Sequence, residues 1–181
     1  GPGPVVSVAG GKLTTFRRMA ERVVHQVVEL LKTSTGELDS STVALVGGSL
    51  EEQRRARATS PRLDDPELSE RLWSKYGTEA AVLIDIISRR PEAAEPVAGL
   101  AEFTHAELEY AVSAEMALRV DDLLRRRCRV ANFDAARATA AADEASRRLG
   151  ELLGWEDGRS QTAAERLRAD LEPELDAVRA A

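Results

Sequence analysis

Cysteine occurs once in this 181-residue sequence, at Cys128, which rules out an internal disulfide and a cysteine-based zinc cluster. The two histidines, His25 and His105, stand far apart, so no metal site can be read at ligand spacing. Aromatics make up only 4%, so a core must be assembled mainly from Leu, Val and Ala, which favours helix over sheet. No apolar run approaches the roughly 20 residues needed to span a bilayer. With a formal net charge of −6 the chain does not read as a general nucleic-acid binder. Hydrophobic residues at 43% and charged residues at 31% allow one domain with a real core, or one domain plus an appended piece.

The opening GPGP, residues 1–4, reads as the scar of an expression tag. After it comes VVSVAGGKLTTF, an apolar stretch, a double glycine with lysine, and two threonines opening a helix. Phe16, Met19, Ala20, Val23, Val27 and Leu30 or Leu31 recur at three- and four-residue spacing, predicting a helix that ends before Gly36. Residues 34–50 read as a loop holding a brief strand at 43–46. The charged, proline-bearing stretch 51–67 reads as a linker or irregular crossing with about one helical turn. Five further helices follow. One ends at Gly77. The second starts from Thr78 as N-cap and stops at Pro91. The third and longest, 104–129, opens on a capping box of Thr104 and Glu107. The fourth is capped by Asp134 and closed near Gly154, and the fifth is bent or broken at Pro173.

AGGK invites comparison with the ATP-phosphate loop, but Val6 stands where that pattern needs glycine and Leu13 where it needs Ser or Thr. It is not G-x-G-x-x-G either, because Gly10 and Gly11 are adjacent. On physical grounds the corner is one of two things. It is a plain tight turn, or it is a place where glycines and free helix N–H groups approach an anionic or electron-rich ligand, with Lys12 adding charge. In DDLLRRRCR, Asp121–Arg125 and Asp122–Arg126 are spaced for i,i+4 pairs, and Glu115 is expected to be partly buried against one of these arginines. The alternative use of residues 125–129 is a docking surface for an acidic partner. His25 is expected to be structural or exposed. Cys128 is expected to be a small packed residue rather than a nucleophile.

Two stretches carry a resemblance. GGKLTTFRRMAE, residues 10–21, resembles the GGKLTTYRxMAE motif of FAD-dependent glycerol-3-phosphate dehydrogenases and glycerophosphate oxidases. AELEYAVSAEMALRVDDLLRRRCRV is similar to the same family's C-terminal signature, with Glu107, Tyr110, Ala111, Val112, Glu115, Ala117, Asp122, Leu124, Arg126, Arg127 and Arg129 in matching places. Departures are Cys128, where threonine is usual, and Ser113–Ala114, where a basic or aromatic pair is common.

The resemblance implies a mainly α fold: a multi-helix C-terminal cap domain preceded by a strand–Gly-rich turn–helix remnant of an FAD domain. It implies residues 5–48 as the end of that FAD domain, 49–66 as linker and 67–181 as the cap. It implies FAD contacts from Gly11, Lys12, Leu13 and Thr14, with Lys12 also near the substrate phosphate. Glu115, Asp122, Arg126, Arg127 and Arg129 become structural or interdomain residues, and no catalytic or metal residue is implied. The parent would oxidise glycerol 3-phosphate to dihydroxyacetone phosphate and pass electrons to quinone or oxygen. The chain alone is expected to be inactive and not to hold FAD tightly. Its implied partner is the upstream FAD and substrate part of the same polypeptide. A cytoplasmic setting follows from the family, with peripheral contact of the parent at the inner membrane face left open. Apolar surface freed from the FAD domain is expected either to drive self-association or to draw the first helix back onto the cap.

Overall fold

Ser49, Asp65, Thr104 and Asp134 each stand one residue ahead of a helix. Each side chain accepts a hydrogen bond from a backbone N–H three residues on, at 3.3, 3.0, 3.3 and 2.8 Å respectively. Such caps satisfy donors that the first helical turn cannot pair internally. In this computed structural model, which describes residues 3–179 except 35, 37, 38, 44, 46 and 47, the helices are α1 (Phe16–Leu31), α2 (Leu50–Thr59), α3 (Pro66–Tyr76), α4 (Ala80–Arg89), α5 (His105–Ser113), α6 (Ala135–Leu153) and α7 (Arg159–Arg179). Among the described residues no strand forms; a lone bridge joins Pro96 to Thr104. The fold is mainly α, as the composition predicts.

Two apolar clusters make the core. The first gathers Leu72 and Trp73 of α3, Leu83, Ile84 and Ile87 of α4, and Ala106 and Tyr110 of α5. The second gathers Phe103, then Leu108 and Ala111 of α5, Leu123 and Leu124, the alanine stripe Ala138, Ala141, Ala142 and Ala145 of α6, and Leu167 and Leu171 of α7. The small side chains of α6 let α7 lie close along it, which makes up for the scarcity of aromatics. Gly77 and Gly154 close α3 and α6 at φ +58° and +63°, a conformation that strains residues with a Cβ.

Several expectations need correction. In the stretch expected to be irregular with about one helical turn, Leu50–Thr59 forms the ten-residue helix α2. It escaped notice because its sequence has little apolar period, and it is held instead by polar docking: Gln53 Nε2 donates to the Trp73 carbonyl at 2.9 Å, Arg57 pairs with Glu70 at 2.7 Å, and the Arg57 guanidinium lies 5.1 Å from the centre of the Trp73 ring. Thr78 is not an N-cap; it sits inside a 3-10 turn, Gly77–Glu79, that leads directly into α4. α7 runs through Pro173, an exposed position where solvent can serve the carbonyl that the proline leaves unpaired.

The expected long helix 104–129 is divided. α5 ends at Ser113, Met116 takes a left-handed φ of +56°, and the Ala117 N–H reaches back to the Ala111 carbonyl at 2.8 Å. Helical structure then resumes and widens into a π-helical turn, Asp122–Arg127.

Ahead of the body the chain behaves differently. Residues 5–9 form no strand, since no partner strand is present among the described residues to complete a ladder. The brief strand expected at 43–46 falls partly outside the described residues. No side chain of α1 is buried, and among the described residues the first buried one is Leu72. The helix is not drawn back to bury its apolar stripe. Its polar ties run to its own neighbourhood, from Ser40 Oγ to Glu21 at 2.7 Å and from Arg17 to the Val43 carbonyl at 3.5 Å.

Candidate functional site

The Gly-rich corner takes the shape its sequence demands. Gly10 and Gly11 have φ of +82° and +105°, so both occupy backbone conformations that side chains resist. A Cβ on Gly11 would stand 2.1 Å from Met19 Sδ, whereas the space in front of Gly10 is open. Lys12 is extended and leads into a 3-10 turn, Leu13–Thr15, in which the Thr15 N–H and hydroxyl both donate to the Lys12 carbonyl at 2.9 Å. A turn of this kind leaves its first N–H groups without an internal acceptor. Gly11 lines a groove of about 460 Å³ together with Gly10, Thr15, Arg18, Met19 and Arg22. Lys12, Leu13 and Thr14 are exposed beside it and do not line it.

In the helical body the arginine-rich stretch is already partnered. Arg125 Nη2 donates to Glu174 at 2.9 Å and its Nε stands 3.7 Å from Asp121. Arg126 pairs with Asp122 at 2.9 Å, while the other oxygen of Asp122 accepts the N–H groups of Leu118 and Arg119 at 3.1 and 3.0 Å. Arg127 Nε lies 3.0 Å from Glu115, off the hydrogen-bonding direction, and its Nη2 donates to the Glu115 carbonyl. Arg129, left-handed at φ +62°, places its guanidinium 5.6 Å from the Phe133 ring centre. The π-helical turn thus sends three consecutive arginines to separate acids. A patch consumed in this way has little positive charge left for an acidic partner.

Glu107 is the residue whose importance sequence reading understated. It forms the expected capping box with Thr104, but its carboxylate is also fully buried, at 0% exposure. Arg71 grips it with two bonds of 3.0 and 2.7 Å, Lys75 donates at 2.9 Å and the Tyr76 hydroxyl at 3.1 Å. The Thr104 N–H adds a bond of 2.9 Å. Burial opposes ionisation here, yet the Arg71 and Lys75 cations and these donors prevail and hold the carboxyl down at about 2. Burial and the same carboxylate push the Tyr76 phenol up. The neighbouring Tyr110, buried and donating to Glu79 at 3.0 Å, is pushed up to about 12. Arg71, Lys75 and Tyr76 lie 31 to 36 residues from Glu107 along the chain, so no local spacing announces them.

Beside this cluster opens a cleft of about 470 Å³ walled by Arg71, Lys75, Phe103, Cys128, Phe133 and Arg137. Its cations are engaged from behind, Arg71 and Lys75 by Glu107 and Arg137 by the Gly99 carbonyl at 2.9 Å. Burial pushes the Cys128 thiol up, and its Sγ sits 3.8 Å from the Leu124 carbonyl, the setting of a packed residue rather than a nucleophile. His25 is exposed, 3.6 Å from Glu29. Among the described residues no three metal-capable side chains converge, and no helix is long and apolar enough to cross a membrane.

Comparison with known proteins places this geometry. Residues 38–160 match a family model described as the C-terminal domain of alpha-glycerophosphate oxidase. Glycerol-3-phosphate dehydrogenase 1 of Mycobacterium tuberculosis is 38% identical over 146 residues, which cover 79% of this chain and 27% of that protein. Glycerol-3-phosphate dehydrogenase of Mycobacterium leprae is 29% identical over 155 residues, covering 83% and 26%. The chain therefore spans about a quarter of the length of these curated relatives. The X-ray structure of the glycerol-3-phosphate dehydrogenase from Bacillus halodurans complexed with FAD shares the fold, with a TM-score of 0.69 over 90% of this chain and 34% of that one, at 24% identity. Since the family model takes in well over half of its residues, the chain belongs to the family of the C-terminal domain of alpha-glycerophosphate oxidase.

Proposed function

We propose that this chain is the C-terminal part of an FAD-dependent glycerol-3-phosphate dehydrogenase, with a structural, interdomain role and no catalytic residue of its own. The observation that carries the reading is the family match over residues 38–160 in a chain a quarter as long as its relatives. The proposed division has residues 5–48 completing the FAD domain, 49–66 joining it to the body, here as helix α2 and a turn, and 67–181 forming the cap.

The Gly-rich corner fits a flavin on its own terms. Two left-handed glycines bring bare backbone to an exposed turn, the space in front of Gly10 is open, and unpaired N–H groups head the turn. Gly11, Leu13 and Thr14 would hold the cofactor through backbone N–H groups, and Lys12 would add a positive charge there and toward the substrate phosphate. When bound, FAD supplies the electron acceptor for oxidation of glycerol 3-phosphate to dihydroxyacetone phosphate, with quinone or oxygen as the final acceptor. The helical body would buttress the FAD and substrate domains, with Glu115, Asp122, Arg126, Arg127 and Arg129 keeping the 114–133 segment in shape.

The test compares two polypeptides, the 181-residue chain and the same chain preceded by its upstream coding region. The longer one should carry flavin absorbance and reduce a dye with glycerol 3-phosphate, while the shorter one should be colourless and inactive. Flavin-dependent turnover by the short chain would overturn the assignment of its role. A longer polypeptide without flavin would overturn the assignment of the parent.

A further inference from the structure

A second groove, of about 370 Å³, lies where the 118–121 segment meets the start of α7. Three arginines line it: Arg119 from the segment, Arg159 from the first residue of α7, and Arg166 two turns further along. Its floor is apolar, with Val120 and the half-buried Trp155, and Leu118 forms an exposed rim. The Arg159 guanidinium lies 4.8 Å from the centre of the Trp155 ring.

The charge balance of the groove favours an anion. The chain carries a net charge of −6, and the arginines of the 125–127 stretch are each met by a carboxylate. Arg159 and Arg166 have no carboxylate partner among the described residues. Asp121 is the one acid in the groove wall, and it is shared between Arg119 at 3.4 Å and Arg125 at 3.7 Å. Three arginines thus border one depression with a single, shared acid among them, and a bound anion would offset the surplus positive charge.

The geometry points to this groove as a binding site for a phosphate ester, the phosphate held by Arg119, Arg159 and Arg166 and the apolar body resting on Trp155. The guanidinium fork matches phosphate oxygens in pairs, which lysine cannot do. The volume suits a small ligand rather than a protein surface. Arg159 and Arg166 stand two turns apart on one face of α7, and Arg119 faces the same groove from the 118–121 segment. The ligand is either a free phosphate monoester or the headgroup of an anionic lipid, since both present the same group.

Trp155 reports on the site directly, because the second tryptophan, Trp73, is buried at 4% exposure in the other cluster. Titration of the 181-residue chain with phenyl phosphate should change Trp155 emission saturably, while sodium chloride at matched ionic strength should not. Arg159→Ala with Arg166→Ala should weaken binding at least tenfold, with circular dichroism confirming the fold. Should that pair fail to fold, Arg166→Lys keeps the charge, removes the fork and should weaken binding at least threefold. In a second arm, sedimentation with phosphatidic acid vesicles that phenyl phosphate competes away assigns the site to a lipid headgroup. Phenyl phosphate binding without vesicle binding assigns it to a free ester. The proposal is overturned if neither probe binds, if the arginine variants bind undiminished, or if a glutamate-rich peptide binds more tightly than phenyl phosphate.

Discussion

The arm formed by residues 3–45 and the body formed by residues 50–179 contain similar kinds of apolar residue and use them in opposite ways. In the body, Leu72, Leu83, Ile84, Phe103 and Leu149 lie at 3% exposure or less. In the arm, Leu13 is 87% exposed, Leu31 66% and Phe16 49%, although α1 has as regular an apolar stripe as any helix that follows. Amphipathic spacing therefore fixes the helix and says nothing about what it will meet. An apolar stripe that no described residue of the chain buries agrees with the proposed reading as part of a longer enzyme.

The contrast can be tested hardest at Glu107. Replacing it with alanine leaves Arg71 and Lys75 half-buried and uncompensated, and urea unfolding should show a loss of about 3–5 kcal/mol in the body. The same carboxyl sets a pH dependence. It is more acidic folded, at about 2, than at its ordinary 4.5, so its contribution is complete above about pH 4.5 and fades as pH falls from there toward 2. The Glu107→Ala variant should lack that part of the acid slope, and an unchanged slope would remove the ion cluster from the account. A smaller effect is expected at Gly99, where φ is +81° and a Cβ would stand 3.1 to 3.4 Å from Ala141, backbone atoms included. Gly99→Ala should cost about 1–2 kcal/mol by thermal or urea melting. The smallest effect belongs to the arm. Leu31→Asn, or removal of residues 1–48, should move the unfolding of the body by less than about 0.5 kcal/mol. A drop of several degrees in its melting temperature would mean that the arm supports the body after all.

How far the sequence could be read varies along the chain for identifiable reasons. Local signals were sufficient where structure is local: the caps at Thr104 and Asp134, the glycine stops at Gly77 and Gly154, and the Asp122–Arg126 pair all follow from spacing within a turn or two. Glu115 does meet one of the arginines as expected, but its contact with Arg127 depends on the interruption at Met116, since twelve residues of unbroken helix would hold the two about 18 Å apart. Three features were not foreseeable. α2 lacks an apolar stripe and is held by Gln53 and Arg57 acting on Trp73, a contact between elements. The interruption at Met116 has neither glycine nor proline to mark it, because the left-handed turn is imposed by the closure of Ala117 onto Ala111. The convergence of Arg71, Lys75 and Tyr76 on Glu107 is a product of how α3 meets α5, and a capping-box pattern reveals only the local half of what that carboxylate does.

The placement of α5 limits how the polypeptide can be divided. Its nine residues contribute Ala106 and Tyr110 to one apolar cluster and Leu108 and Ala111 to the other, with Glu107 anchored between them. No cut on either side of this helix yields a self-sufficient piece, because each half would lose one wall. Anyone seeking a minimal module for grafting or recombination must keep the whole stretch from Ser49 to the end of α7, and chimeras with crossovers inside it should be recovered only when both parents supply matching neighbours for that one helix.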